Sequence, residues 1–460
     1  MAKKKTTPQP ATQPETNLVA LVHLGCARNL IDSELILGRM AEEGLMVTDD
    51  PGSGGTVVLN TCSFIGPARE ESENAIRDLL KRKQRGELAH VVVAGCLVQR
   101  YKQGLAEQFP EVDLFAEISD YRKLARSVKE LSEGKAGVPR YLAGPLEREA
   151  ERDGARLLST PQSYAYLRIS HGCDHLCSFC AIPSIRGKHR SKPLEAVVSE
   201  ARELCSGGVR ELVLVAEDST AWGRDMGQEL PDLVEALAKL SDKPRIRVMY
   251  AYPNRFPWRL TELMREHEHV LSYLDIPVQH IATPVLRAMR RAGSGDQVRK
   301  LLDRLREEVP GITLRTTLLL GFPGETDADA AEVAAFVREY GLARVGAFTY
   351  SPEQGTSGWD LPDRVPANIA QSRYQAVIAA RDEVLKSSQG AWIGKDLEIL
   401  VDEQHPGVST VVGRGVMDAP EVDLVAMVRG SKASVGDIIR VRVESLDAES
   451  NLVCKPAGKR

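Results

Sequence analysis

The stretch His171-Gly172-Cys173-Asp174-His175-Leu176-Cys177-Ser178-Phe179-Cys180 decides how the rest of the chain is read. Its three cysteines are spaced C-x3-C-x2-C, and it directly follows a segment, 164–170, that suits a strand. Three thiolates gathered by one short loop at a strand's end suit an iron–sulfur cluster or zinc. A cubane has four irons, so three cysteines leave one iron open to a small molecule. The competing reading is a structural zinc with His171 or His175 as fourth ligand. Structural zinc usually takes paired C-x2-C or Cys/His arms, and a three-cysteine loop ahead of a run of strands and helices fits that poorly.

Downstream, strands are expected at 209–215, 245–251, 272–276, 312–320 and 343–350, separated by helices such as 193–205 and 327–340, with Pro193 suited to a first helical turn. Together with 164–170 they make six βα units, which points to a barrel or partial barrel with its active site at the C-terminal ends of the strands. A long helix over 368–388 follows. Beyond Gly390 the texture changes to short alternating strands at 396–401, 409–414, 422–428, 438–445 and 452–455, punctuated by Gly and Asp. Five short strands fit a small β-barrel of the OB type.

Upstream, the pattern is again βαβ: strands at 18–22, 56–59 and 90–94, a helix over 29–43 capped by Asn29 and closed by Gly44, and an acidic amphipathic helix over 68–82. This predicts a parallel-sheet α/β domain. The expected organisation is a disordered tail over 1–17, an N-terminal domain over 18–142, a charged linker over 143–160, the central barrel over 161–390 and the C-terminal barrel over 391–460. Three further cysteines, Cys26, Cys62 and Cys96, each lie two to four residues past an expected strand, in LVALVHLGC, TVVLNTC and VVVAGC. The C-terminal ends of parallel strands share one edge, so these thiols can converge, with Gly25 and Gly95 allowing close backbone approach. Equally, they can be three buried thiols of an α/β core. Cys205 and Cys454 have no partner nearby in sequence and read as packing thiols.

The chain has 460 residues, 43% apolar and 27% charged, with a net charge of −4, so no chain-wide basic field advertises nucleic acid. The N-terminal stretch lacks the apolar core of a secretory signal, and no run of residues is apolar enough to span a bilayer. Eight cysteines are sparse for a disulfide scaffold in a chain this long. A reducing, cytoplasmic setting without membrane attachment is expected.

The loop resembles the signature of the radical-SAM superfamily, C-x3-C-x-aromatic-C, with Phe179 as the aromatic. That resemblance implies a partial (βα)6 barrel and a [4Fe-4S] cluster whose open iron binds S-adenosylmethionine (SAM) by its amino and carboxylate groups. One-electron cleavage of SAM then gives a radical that takes hydrogen from unactivated carbon, chemistry beyond any side chain alone. The superfamily's acidic motif after the second strand falls here on Ala216-Glu217-Asp218, without the usual Gly-Gly-Glu. Glu217 and Asp218 are thus candidate SAM contacts, or hydrogen bonders of the barrel rim, and Gly321 and Gly324 candidate shapers of a turn near SAM.

LGCARNLIDSE, LNTCSFIGPAREES and AGCLVQRY are similar to the N-terminal domain of the methylthiotransferases, a family within that superfamily, and the C-terminal barrel is similar to a TRAM domain. The resemblance implies a second [4Fe-4S] cluster on Cys26, Cys62 and Cys96, whose open iron carries the sulfur to be inserted. One SAM would methylate that sulfur and a second would be cleaved at Cys173, Cys177 and Cys180. Two branches of the family are weighed: one modifies an adenosine of tRNA, the other the β-carbon of an aspartate in small-subunit ribosomal protein S-twelve, free or on the ribosome. Ala181-Ile182-Pro183-Ser184-Ile185-Arg186-Gly187, Tyr250-Ala251-Tyr252-Pro253, Tyr273-Leu274-Asp275-Ile276-Pro277-Val278-Gln279-His280, Leu314-Arg315-Thr316-Thr317 ahead of Gly321-Phe322-Pro323-Gly324-Glu325-Thr326, and Phe348-Thr349-Tyr350-Ser351-Pro352-Glu353 resemble the protein-modifying branch.

Arg186 and Arg315 are candidates for gripping a substrate carboxylate by a bidentate fork, or plain surface ion pairs. After Trp392 there is no aromatic residue, so base-stacking platforms are scarce. Asp418, Glu421 and Asp423 add acidity that suits a basic protein partner. A nucleic acid is not expected as the direct substrate. An electron donor and a sulfur donor are required as partners, and no side chain is nominated as a catalytic acid or base.

Overall fold

The computed structural model describes residues 18–458 apart from 49, 53–54, 119, 147–155, 292 and 405–406; the expected tail and most of the expected linker lie outside the described residues. The described chain divides into two compact units, one ending at Pro145 but including Leu157, the other running from Leu158 onward with Leu146.

The first unit is a six-stranded sheet: β1 (Leu18–His23), β2 (Met46–Thr48), β3 (Thr56–Thr61), β4 (His90–Gly95), β5 (Leu114–Ala116) and β6 (Tyr141–Leu142). The order is β2-β1-β3-β4-β5-β6 and every pairing is parallel. Four helices connect the strands: α1 (Ala27–Glu42), α2 (Gly66–Gln84), α3 (Cys96–Gln108) and α4 (Tyr121–Ser132). Alternate residues of the same strands feed two separate apolar clusters, Val57, Leu59, Val91 and Val93 in one and Val58, Val92 and Ala94 in the other. A sheet buried on both faces must be apolar at consecutive positions, which is why β3 and β4 read as unbroken runs. Asn29 does not cap α1: the cap position is Cys26, and Asn29 lies within the first turn.

In the second unit, β7 (Tyr164–Arg168) leads to a small antiparallel pair, β8 (Ser170–His171) with β9 (Arg190–Ser191), separated by the cysteine loop and α5 (Ile182–Arg186). The five strands that follow are β10 (Glu211–Val215), β11 (Arg245–Val248), β12 (Val270–Asp275), β13 (Thr313–Leu320) and β14 (Arg344–Thr349). They join β7 in one all-parallel sheet ordered β14-β13-β12-β11-β10-β7, open between its two end strands. Helices α6 (Leu194–Ser206), α7 (Leu230–Ala238), α8 (Arg259–Glu266), α9 (Thr283–Ala288), α10 (Gly295–Glu308) and α11 (Asp327–Glu339) punctuate it, and α12 (Ala367–Gly390) closes the series. Pro193 takes the cap position of α6 rather than its first turn.

One face of this sheet is apolar and buried with the helices, through Ala165, Leu167, Leu212, Leu214, Ile246, Val248 and Leu274. By strand alternation the other face carries Tyr164, Tyr166, Glu211, Arg247, Tyr273, Asp275, Arg315 and Arg344. These polar side chains meet the third part of the fold, a closed five-stranded barrel of β15 (Asp396–Gln404), β16 (Thr410–Arg414), β17 (Ala426–Arg429), β18 (Ile438–Leu446) and β19 (Leu452–Pro456).

The acidic segment between β16 and β17 overturns one sequence expectation. Asp418 is buried and pairs with Arg344 at 2.6 Å, and Asp423 accepts from the Tyr273 hydroxyl at 2.6 Å and lies 3.5 Å from Arg315. Glu421 accepts from the Tyr164 hydroxyl at 3.0 Å. Asp418 and Asp423 therefore neutralise arginines inside the protein and do not form an acidic surface for a basic partner. Nearby, Glu211 bonds Arg247 at 2.7 Å and Arg414 at 3.3 Å. Burial would push the Glu211 carboxyl up, but the two guanidinium groups outweigh it and hold it at about 2.

Candidate functional site

Cys26, Cys62 and Cys96 all stand at the C-terminal edge of the first sheet, just past the adjacent strands β1, β3 and β4. Cys26 caps α1 and Cys96 opens α3. A helix N-terminus favours an anionic thiolate. The three positions are tied together by one side chain. Asn29 donates to the carbonyls of Leu24 at 2.7 Å and Thr61 at 3.2 Å, and its Oδ1 lies 3.9 Å from the Cys96 thiol. Its backbone N–H bonds the Cys26 carbonyl at 2.8 Å. Ser72 and Ser63 hold the other two segments: Ser72 Oγ donates to the Cys62 carbonyl at 2.8 Å, and Ser63 Oγ to that of Cys96 at 3.0 Å.

Gly25 and Gly95 serve the close approach expected of them. A Cβ on Gly25 would stand 3.2 Å from Cys62 Sγ. One on Gly95, whose φ is +98°, would stand 2.2 Å from Asn60 Oδ1 and 2.8 Å from the Thr61 carbonyl. Asn29 was singled out in the sequence only as a helix cap, and Ser63 and Ser72 not at all, since a polar residue near a cysteine carries no signal of its own.

The second triplet hangs from β7 and β8. Cys177 is buried, while Cys173 and Cys180 are half-buried. Burial pushes the Cys173 thiol up to about 12, and the negative charge of Cys180, Glu217 and Asp218 adds to the effect. Such a thiol becomes a ligand only when a cation takes the place of its proton. Among the described residues no three His, Cys, Asp or Glu side chains close on a single metal-ion-sized point, as tetrahedral zinc requires. A cubane takes each thiolate on a different iron and does not need the three thiols to close on one point.

His175 is not poised as a ligand: its Nε2 lies 2.8 Å from Asp218 Oδ2, and its ring stacks on Tyr252 with centroids 3.7 Å apart and planes 9° from parallel. Asp218 also accepts from the N–H and hydroxyl of Thr220. Burial alone would raise its carboxyl; the His175 and Thr220 bonds prevail and hold it below the usual carboxylate range. A cavity of about 380 Å³ opens beside Cys173, His175 and Asp218, rimmed by Arg224, Asp225 and Arg255.

The remaining sequence candidates are dispersed. Gly321 donates its N–H to Glu325 at 2.9 Å and faces Ala370 of α12, where a Cβ would fall 2.4 Å from that side chain. Gly324 donates to the Asp363 carbonyl. Arg186 is buried in α5. Arg315 is already paired, with Asp275 at 3.0 Å and with Asp423. Cys205 and Cys454 are buried, burial pushing both thiols up to about 11, as suits packing residues. No described helix is long and apolar enough to cross a membrane.

This sheet, its cysteine loop and the flanking domains define a radical-SAM protein with an added N-terminal α/β domain. Residues 167–337 match the Radical SAM superfamily, 18–117 the uncharacterized protein family UPF0004 and 393–450 the TRAM domain. The fold is shared with the radical S-adenosylmethionine methyltransferase TsrM from Kitasatospora setae, at a TM-score of 0.55 and 18% identity over 75% of this chain and 77% of that one. Full-length relatives are closer in sequence. The ribosomal protein uS12 methylthiotransferase RimO of Trichlorobacter lovleyi is 40% identical over 92% of this chain and 95% of its own length. Those of Geobacter sulfurreducens and Myxococcus xanthus are 39% and 37% identical, over 92% and 96% of this chain and 95% and 92% of theirs. The chain belongs to the RimO family of ribosomal protein uS12 methylthiotransferases.

Proposed function

We propose that this chain adds a methylthio group to the β-carbon of an aspartate in ribosomal protein uS12, using one cluster on Cys173, Cys177 and Cys180 and a second on Cys26, Cys62 and Cys96. The observation that carries this reading is the similarity, over 92% of this chain, to uS12 methylthiotransferases in a chain that sets one cysteine triplet at the C-terminal edge of a parallel sheet and the other in the loop after β7 and β8.

When bound, a cluster with one open iron supplies, together with SAM, the one-electron cleavage needed to take hydrogen from an unactivated carbon. The chain's own residues bind and orient. The loop triplet supplies three thiolates, and its shape is held by the Asp218–His175–Tyr252 contacts. Glu217 and Asp218 are the candidates for the SAM amino group, and Asp218 also accepts from His175 and Thr220. Gly321 and Gly324 shape the turn after β13. At the other triplet, Asn29 and the two serines fix the thiols that would hold the sulfur-carrying cluster. No side chain is assigned proton transfer, since hydrogen-atom abstraction needs no base. Arg186 and Arg315 are the candidates for gripping the target carboxylate, and Arg315 would first give up Asp275 or Asp423. A one-electron reductant and a sulfide source come from outside the chain.

The test is anaerobic reconstitution, then incubation with SAM, a reductant and either purified uS12 or undermodified tRNA, read by mass spectrometry. A gain of one methylthio group on an aspartate of uS12 is the expected result. A gain on tRNA alone would assign the chain to the tRNA-modifying branch, and no 5′-deoxyadenosine at all would reject the radical-SAM reading.

A further inference from the structure

The cluster loop is fastened to a second segment that the reaction described above does not use. Ser178, directly after Cys177, donates its N–H to the Met289 carbonyl at 3.0 Å and its hydroxyl to that of Ala288 at 2.8 Å. Two residues on, Arg291 reaches back to the loop. Its Nη1 donates to Cys177 Sγ at 3.5 Å, and its Nη2 donates to the Pro277 carbonyl at the end of β12. Its guanidinium lies over the Tyr252 ring, 4.2 Å from the centroid. That is the ring on which His175 stacks. The Nε of Arg291 is buried with no hydrogen-bond partner among the described residues. Arg291 as a whole is half-buried, but a cation whose donor is shielded from water and unspent is costly unless negative charge faces it. Cys177 is buried, 8% exposed, and a neutral thiol offers little compensation.

We propose that Arg291, seated on Tyr252, is a positioning residue that hydrogen-bonds the Cys177 thiolate and sets the reduction potential of the cluster on Cys173, Cys177 and Cys180. Reducing a thiolate-ligated cluster adds negative charge. A cation donating to a ligand sulfur stabilises that charge, so it makes the cluster easier to reduce. The electron count is unchanged; only the midpoint moves. Arginine suits the task because its planar fork serves the sulfur and the Pro277 carbonyl at once while its face rests on an aromatic ring. The inference rests on the reading that this triplet holds a cluster.

The experiment is an EPR-monitored redox titration, without SAM, of the full chain carrying C26A, C62A and C96A, so that one cluster reports. Arg291→Met, Arg291→Lys and Tyr252→Leu are compared after iron content and circular dichroism show loading and folding. Arg291→Met is expected to load normally and to have a reduced-to-oxidised ratio about tenfold smaller at a given potential, a midpoint about 59 mV more negative. Arg291→Lys and Tyr252→Leu should shift it less, in the same direction. A fully loaded Arg291→Met with an unchanged midpoint overturns the inference while leaving the cluster reading intact. If Arg291→Met does not load, an unchanged midpoint in Tyr252→Leu and Arg291→Lys overturns it equally, leaving a packing role. A parent chain that takes up no iron sinks the cluster reading itself. Should the triple-alanine chain not fold, the same titration is run on the six-cysteine chain.

Discussion

Two cysteine triplets in one chain are built in opposite ways. Cys173, Cys177 and Cys180 come from a single loop, and their spacing alone brings them together. Cys26, Cys62 and Cys96 span 71 positions and reach one sheet edge only because β1, β3 and β4 are neighbours in one parallel sheet. The loop site is a local motif stiffened by contacts from outside it, from Asp218, Tyr252 and the Ala288–Arg291 segment. The sheet-edge site has no local motif and depends on the whole fold of its unit. A local site tolerates distant damage, whereas a site assembled by topology fails with the packing beneath it.

The sharpest way to break the comparison is to remove one ligand from each. Cys177→Ala is expected to abolish 5′-deoxyadenosine formation and to cost about four irons per chain. Cys62→Ala should cost the same iron yet leave reductive SAM cleavage in place while ending sulfur transfer to uS12. Chromatographic assay of 5′-deoxyadenosine beside mass spectrometry of uS12 separates the two. If Cys62→Ala also stopped SAM cleavage, the division of labour would be wrong.

The ion network behind the second sheet supplies a control of similar size that touches neither triplet. Glu211→Gln leaves Arg247 buried without its carboxylate and Arg414 with Asp402 alone, at a cost of about 3–5 kcal/mol. The folded-state pKa of Glu211 lies below its ordinary value. Its stabilisation is therefore present above the unfolded pKa and is lost as pH falls from about 4.5 toward 2. Urea unfolding at pH 7 and at pH 3 should show the wild type losing stability on acidification and Glu211→Gln losing less. Equal losses would mean that Glu211 does not carry the effect.

Smaller changes probe the sheet edge. Gly95→Ala forces a Cβ against Asn60 and the Thr61 backbone at a positive φ. About 3 kcal/mol of destabilisation is expected, with loss of iron from the first unit and normal SAM cleavage. Asn29→Ala should cost about 2 kcal/mol, since the Leu24 and Thr61 carbonyls lose a donor. Thermal unfolding and iron analysis check both. Full iron in Gly95→Ala would show that the cysteines need less from the sheet than their placement suggests.

Much of this was legible in the sequence because strong periodicity and punctuation mark it. All six strands of the central sheet and four of the five of the small barrel fall where alternation and apolar runs placed them, the strand expected over 422–428 beginning only at Ala426, and Cys26, Cys62 and Cys96 follow their strands as expected. The short strands β2, β5 and β6 escaped, because two or three residues give no period. Asn29 was read as a cap because its type suits one, but its side chain is spent on bridging two strand ends. The acidity of Asp418 and Asp423 was visible and its direction was not. Their arginines lie far away in sequence, and only the folded sheet shows that these carboxylates point inward. For the same reason the meeting of His175, Tyr252 and Arg291, from three separate loops, left no trace in spacing.

The central claim, that the chain carries two separate clusters on two differently built triplets, is tested most directly by counting iron and sulfide after anaerobic reconstitution. The wild type should hold about eight of each per chain, and a chain with Cys173, Cys177 and Cys180 all changed to alanine about four. A wild type with only about four irons, or a triple variant with none, would contradict two independent sites.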